Sequence, residues 1–419
     1  MRNKNSIPHS DFIRRDFMSL NNTPSAERVH IAFFGQRNSG KSSLLNAVTN
    51  QNIAIVSDVL GTTTDPVFKA MELLPLGAVM MIDTAGIDDI STELGNMRVQ
   101  KTLRILNKTD IAVLVVDSTK GLTDYENDLI EKFKNKNVPY IVAYNKCDLK
   151  KISVNADNEI CVSALTGENI HELKELIAKQ NGTMGDKKIV AHLLNKNDVV
   201  VLVIPIDESA PKGRLILPQV QTIRELLDNE MIPVSTRETT LKETLSALAK
   251  KPAMVITDSQ AFAKVSKDTP LDIPLTSFSI LMANYKSDLK TLVHGVTAID
   301  TLKDGDKVLI SEGCTHHRQC NDIGTVKLPK LLQKYTGKSL DFSWTSGTEF
   351  EEDLTKYKLV IHCGGCMLNE REMKYRLKCS VDMGVPMTNY GTAIAYMNGI
   401  LQRSLAPFPD IQKFIMHNS

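Results

Sequence analysis

The stretch Gly35-Gln36-Arg37-Asn38-Ser39-Gly40-Lys41-Ser42 decides how this chain folds at its N-terminal end. It follows the apolar run Val29-His30-Ile31-Ala32-Phe33-Phe34 and opens onto a helical stretch, Ser43 to Val48. Strand, glycine-bounded loop and helix in that order are the context that G-x-x-x-x-G-K-[ST] needs to cradle phosphates. The glycines let backbone N–H groups wrap the anion, and the helix N-terminus adds its positive end. Lys41 is expected to reach the β- and γ-phosphates and the Ser42 hydroxyl to hold Mg²⁺. The phosphate-facing set is Gly35, Asn38, Ser39, Gly40, Lys41, Ser42 and Ser43.

Working outward, Ala78 to Ile82, Ile111 to Val116 and Tyr140 to Tyr144 repeat the buried-strand pattern, with helical stretches at Gly95 to Leu106 and Tyr125 to Lys134. This alternation predicts a parallel sheet with helices on both faces. Three more strings fall at or after strand ends. In Asp83-Thr84-Ala85-Gly86, Asp83 would bind Mg²⁺ through water and the Gly86 amide would meet the γ-phosphate. In Asn145-Lys146-Cys147-Asp148, Asp148 can accept two hydrogen bonds from guanine, which adenine cannot supply. Ser163-Ala164-Leu165 offers a backbone amide to guanine O6. Each string alone is weak. Four in order predict a GTP-binding, GTP-hydrolysing domain over residues 29–185, behind an N-terminal extension of residues 1–28.

The turn-rich Asn181-Gly182-Thr183-Met184-Gly185 reads as a linker. Residues 186–271 form a small β-α-β-α-β unit without a phosphate loop of its own, suited to packing against a neighbour or a second copy. Residues 272–419 are again α/β, so the whole chain reads as a phosphate-loop domain followed by two smaller α/β domains. The 419 residues carry a formal net charge of +1, which does not encourage a nucleic-acid partner. No apolar run reaches signal-peptide or membrane-span length, and the expected location is the cytoplasm. Of seven cysteines, Cys147 and Cys161 come early, while Cys314, Cys320, Cys363, Cys366 and Cys379 crowd toward the C-terminus. In a reducing compartment such a cluster reads as metal binding or catalysis before disulfides.

The N-terminal motifs resemble the translation-factor-related GTPases, especially the Era-like and tRNA-modification branch. The resemblance implies that Gly61-Thr62-Thr63-Thr64-Asp65 is the first switch, with Thr63 sensing Mg²⁺ and the γ-phosphate. Ile87 stands where Ras-like proteins place a water-orienting glutamine, and an isoleucine cannot orient water by hydrogen bonding. Asn38 stands where potassium-activated members carry an asparagine, whose carbonyl would help hold a K⁺ that offsets developing charge. The other reading of Asn38 is a turn residue tolerating an unusual backbone angle. Hydrolysis is expected to be slow, as suits a switch.

Cys314-Thr315-His316 follows the strand-like Lys307 to Ile310, and His362-Cys363-Gly364-Gly365-Cys366 follows Leu359 to Ile361. Adjacent strand ends in a parallel sheet would bring the two together, and C-x-x-C suits either zinc or an iron–sulfur cluster. A phosphate-loop GTPase joined to C-x-H and H-C-x-x-C resembles the HydF family of FeFe-hydrogenase maturation GTPases, over essentially the whole chain. The resemblance implies that residues 186–271, with Pro205-Ile206-Asp207 and Ala210-Pro211-Lys212-Gly213-Arg214, are a dimerisation domain forming a homodimer. It implies that residues 272–419 bind a 4Fe–4S cluster through Cys314, Cys363 and Cys366. His316, His362 or Asp207 would supply the fourth position, unless it is exogenous. The family scaffolds or carries a 2Fe precursor, works with two radical-SAM maturases and serves apo-hydrogenase, with neither membrane nor nucleic acid as partner. Cys320 and Cys379 have no place in the motif. The alternative is an Era-like tRNA- or ribosome-acting GTPase with a C-terminal zinc site.

Overall fold

Val29–Phe34 (β1) is the strand around which the first sheet is built. The computed structural model describes residues 23–50, 66–84, 101–154, 156–181, 187–206, 215–313, 322–347 and 349–416. β1 lies between Gly77–Asp83 (β3) and Ile111–Asp117 (β4), parallel to both. Tyr140–Asn145 (β5) and Glu159–Cys161 (β6) extend the sheet in parallel beyond β4. Val67–Leu73 (β2) closes the other edge, antiparallel to β3. Side chains alternate across β1. Ile31 and Phe33 share a core with Leu44, Leu45 and Val48 of the helix Lys41–Thr49 and with Leu173 and Ile177 of Ile170–Gln180. Ala32 and Phe34 share the opposite core with Leu129 and Phe133 of Asp124–Asn135, a helix opened by a Thr123/Glu126 capping box. Residues 101–106 are helical, the described end of the stretch expected at Gly95 to Leu106.

Two smaller sheets follow, each of four parallel strands. The first combines Val199–Val203 (β7), Ile232–Thr236 (β8), Met254–Thr257 (β9) and Leu275–Ser277 (β10) in the order β10-β9-β7-β8. The second combines Lys307–Ser311 (β11), Asp341–Thr345 (β12), Leu359–His362 (β13) and Met387–Asn389 (β14) in the order β12-β11-β13-β14. One continuous hydrophobic core runs under both sheets. β10 pairs with β9 at the edge of the first of them. The helix Phe278–Lys286 follows directly, capped by the Ser277 hydroxyl, which accepts from Ile280 N at 3.2 Å. It buries residues on nearly every side and packs against Leu217–Asp228, Glu370–Asp382 and Tyr390–Met397. An α-helix at Leu289–Gly295 is followed by a 3-10 stretch at Val296–Thr301.

The first sheet rests its strand N-termini on the third unit. Asn369 caps the helix Glu370–Asp382 by accepting from Glu372 N at 3.1 Å. Its amide group donates to His30 Nδ1 and to the Lys108 carbonyl, each at 2.8 Å. Asp110 accepts from His30 N at 2.9 Å and faces Arg371 at 3.5 Å. Among the described residues, no helix is long and apolar enough to cross a membrane.

Candidate functional site

The loop after β1 is shaped by its glycines and closed by its lysine. Gly40 adopts φ +87°, and a Cβ there would run into Asn145 Nδ2, so only glycine fits. Asn38 adopts φ +61°, a left-handed conformation that asparagine tolerates better than most residues. The turn reading therefore accounts for this asparagine without a ligand. Lys41 opens the helix and is buried, and its ammonium donates to the Gln36 carbonyl at 2.8 Å. The hydroxyl of Ser39 donates to the same carbonyl at 2.9 Å. Ser42 and Ser43 follow in the first helical turn.

At the end of β3, Asp83 Oδ2 accepts from Ser42 Oγ at 2.7 Å. Its other oxygen is buried without a hydrogen-bond partner among the described residues. Burial raises the Asp83 carboxyl above its ordinary range, against the Ser42 hydrogen bond and the Lys41 charge. A buried, unpartnered carboxylate oxygen beside a serine hydroxyl is a donor set that fits Mg²⁺. Thr63, Gly86 and Ile87 lie outside the described residues.

The base side is assembled from the ends of β4 and β5. Asn145 donates to the Ser39 carbonyl at 3.0 Å and accepts from Ala164 N at 3.0 Å, tying the phosphate loop to Ser163-Ala164. Lys146 spans from Asp117, at 2.6 Å, to the Asn38 carbonyl, at 2.8 Å. Asp148 accepts from the Ser163 hydroxyl at 2.5 Å. Sequence reasoning did not single out Asp117, although it ends an apolar run as Asp83 does. The arrangement can seat a guanine against a carboxylate and an amide while its phosphates meet the loop.

The second centre forms where β11 and β13 lie side by side, with Ser311 opposite His362. Connections leave these strands toward opposite edges of the sheet, which makes this its switch point, where α/β sheets bind ligands. Cys363 N donates to the Ser311 carbonyl at 2.9 Å. Cys363 Sγ accepts from Gly313 N at 3.0 Å and from Gly365 N at 3.4 Å. Gly365 adopts φ +62°, and a Cβ there would strike Met373 Sδ. Cys363 and Cys366 are free and partly buried. Burial pushes the Cys363 thiol up to about 11 and raises Cys366 too, so metal binding must displace protons here. Two thiols on a glycine turn with amides aimed at sulfur fit a soft metal centre. Among the described residues no three metal-ligating side chains converge. Cys314, His316, Cys320 and Asp207 lie outside them; Cys379 lies further along Glu370–Asp382.

His362, expected as a ligand candidate, is fully buried with both ring nitrogens engaged. Its Nδ1 meets the Cys363 carbonyl at 2.8 Å, and Arg376 donates to its Nε2 at 3.1 Å. Arginine only donates, so Nε2 accepts and Nδ1 carries the proton. Burial, reinforced by Arg376, lowers His362 to about 3 and keeps it neutral. In this arrangement neither nitrogen has a lone pair left for a metal. Arg376 is itself fully buried, paired with Glu372 at 2.9 Å and bonded to the Gly347 carbonyl at 2.8 Å. Lys286 is 2% exposed and donates to the carbonyls of Gly365, Cys366 and Leu368 at 3.2, 3.1 and 2.8 Å. Burial lowers its ammonium to about 8. Sequence reasoning missed Arg376 and Lys286, since a lone basic residue in a helical stretch belongs to no motif.

Family models match three successive stretches of the chain. Residues 30–146 match one described as a 50S ribosome-binding GTPase. Residues 189–287 match a hydrogen maturase F dimerization domain and residues 290–407 a hydrogen maturase F tetramerization domain; the last two together span more than half the chain. Among curated proteins, the tRNA modification GTPase MnmE of Thermosipho melanesiensis is 31% identical over 178 residues, covering 42% of this chain and 39% of that protein. GTPase Der of Mycoplasmopsis agalactiae is 32% identical over 169 residues, covering 36% and 38%. This chain thus spans about two fifths of the length of these relatives. A solved structure of Aquifex aeolicus Era bound to GDP and AlF4⁻ aligns at 20% identity with a TM-score of 0.32, over 52% of this chain and 98% of that one.

Proposed function

Because this chain belongs to the HydF family of hydrogenase maturation GTPases, we propose that it couples a slow GTP switch to a 4Fe–4S scaffold that carries the 2Fe precursor of the FeFe-hydrogenase active site. The GTPase domain binds GTP or GDP with Mg²⁺ and hydrolyses GTP. Lys41 neutralises phosphate charge, Ser42 and Asp83 hold the metal, and Asp148 selects guanine. The dimerization and tetramerization domains support assembly of the chain into oligomers. In our reading the basic unit is a homodimer, the partners are two radical-SAM maturases and apo-hydrogenase, and the compartment is the cytoplasm.

The observation that carries the scaffold reading is the hydrogen bond from Gly313 N to Cys363 Sγ. It brings the chain immediately before Cys314 onto the first sulfur of Cys363-x-x-Cys366. Cys314, Cys363 and Cys366 are then the cluster ligands. A cluster held by three thiolates leaves one iron able to take an exchangeable ligand, as a carrier requires. His362 supports this site from behind, fixing the Cys363 carbonyl rather than ligating. His316 and Asp207 remain our candidates for the fourth position. The test is the absorption spectrum of anaerobically purified protein. Broad visible bands bleached by dithionite are expected, and a colourless zinc protein would overturn the reading.

Potassium gives a second test. If Asn38 helps hold a K⁺ beside the phosphates, GTP turnover in K⁺ exceeds that in Na⁺ by about tenfold, the effect of about 1.4 kcal/mol on the barrier. Equal rates would leave Asn38 with its turn role alone.

A further inference from the structure

We propose that Lys286 positions the Cys363–Cys366 turn and supplies the buried positive charge that offsets a thiolate-bound cluster, making it a residue that sets the cluster's reduction potential. This rests on the cluster reading above and extends it to a residue on another element. Lys286 ends the helix Phe278–Lys286, and its three contacts are all main-chain carbonyls of the turn. Three acceptors require three N–H donors, which the ammonium has and the neutral amine lacks. The group is therefore charged as it sits. Among the described residues it makes no ion pair with a carboxylate; the charges that raise it are, largest first, those of Cys366, Glu27, Cys363 and Glu370. A buried cation held only by neutral carbonyls still lacks a counter-charge, and an anion beside it offsets that cost. The largest of those charges is the thiolate of Cys366, the residue whose carbonyl Lys286 holds at 3.1 Å.

The carbonyl contacts also aim the backbone. In a trans peptide the C=O and the following N–H point in opposite directions. With the Gly365 and Cys366 carbonyls gathered at Lys286, the N–H groups of Cys366 and Met367 are turned away from it. Burial raises the Cys366 thiol; the Lys286 charge and then these two amides work against it. One side chain thus holds three carbonyls of the turn and places a charge behind it.

A positive charge favours the more negative, reduced state of the cluster. Removing it lowers the reduced-to-oxidised ratio about tenfold at a given potential, a fall of about 59 mV for one electron. The experiment compares wild type with K286M and K286Q by iron content, EPR-monitored redox titration and GTP turnover on the same preparations. Both variants are expected to hold less iron and to show a lowered midpoint potential while GTP turnover stays near wild type. Loss of the cluster from both with turnover intact supports the positioning role. Either variant with wild-type iron and an unshifted potential overturns the proposal. If neither folds, K286R decides: a wild-type potential supports the charge role, and a lowered one overturns it. A wild-type protein that takes up no iron–sulfur cluster would instead sink the cluster reading itself, so the two failures are distinct.

Discussion

Lys41→Ala is expected to lower GTP turnover by about 10²–10³-fold, the scale on which one preorganised charge-stabilising group contributes to a transition state. Lys41 is buried at the first turn of its helix, and its ammonium already lies against the Gln36 carbonyl inside the loop. Alanine keeps the helix but leaves the phosphates without this cation. Phosphate release measures the effect. Iron content and the visible spectrum of the same preparation should stay unchanged, because Lys41 opens a helix packed on the first sheet, whereas Cys363 and Cys366 follow a strand of the third. Retention of more than about a tenth of the wild-type rate would remove Lys41 from the role given to it.

Cys363→Ser is expected to do the reverse. Cluster binding is lost and GTP turnover stays within about twofold of wild type, the range of substitutions remote from a site. Serine is nearly isosteric, but its oxygen is a harder donor than thiolate and seldom ionises, so it does not suit iron as sulfur does. The substitution also removes the sulfur that accepts from Gly313 and Gly365. Iron analysis with GTP turnover on one preparation decides. Loss of both activities together would mean that the two centres are not separate modules.

Three of the four GTPase strings could be placed on strand ends from sequence because β1, β3 and β5 are buried on both faces and read as continuous apolar runs, whereas Ser163 follows the short, half-exposed β6. The strands that were not legible lie at the edges. Val67–Leu73 is largely solvent-facing with polar positions, Asp341–Thr345 is half-exposed, and Leu275–Ser277 is only 3 residues long. An edge strand has too little apolar pattern to stand out. At the cysteine site, C-x-x-C was legible because two sulfurs at fixed spacing form a motif. Lys286 was not, since its partners are carbonyls some eighty residues away that carry no side-chain signature. His362 drew attention as an imidazole beside a ligand. Only the Arg376 contact revealed that its second nitrogen is taken.

The contact of Asn369 with His30 has a thermodynamic consequence. His30 belongs to the strand that ends at the phosphate loop, and Asn369 caps the helix that begins just beyond Cys366. Any free energy that nucleotide binding places in this junction is a coupling energy, and coupling energies are reciprocal. A nucleotide that loosens the hold on the cluster is itself held less tightly when the cluster is present, by the same factor. The affinity of the cluster-loaded chain for GTP, compared with that of the empty chain, therefore measures the influence of GTP on the cluster without the cluster having to leave.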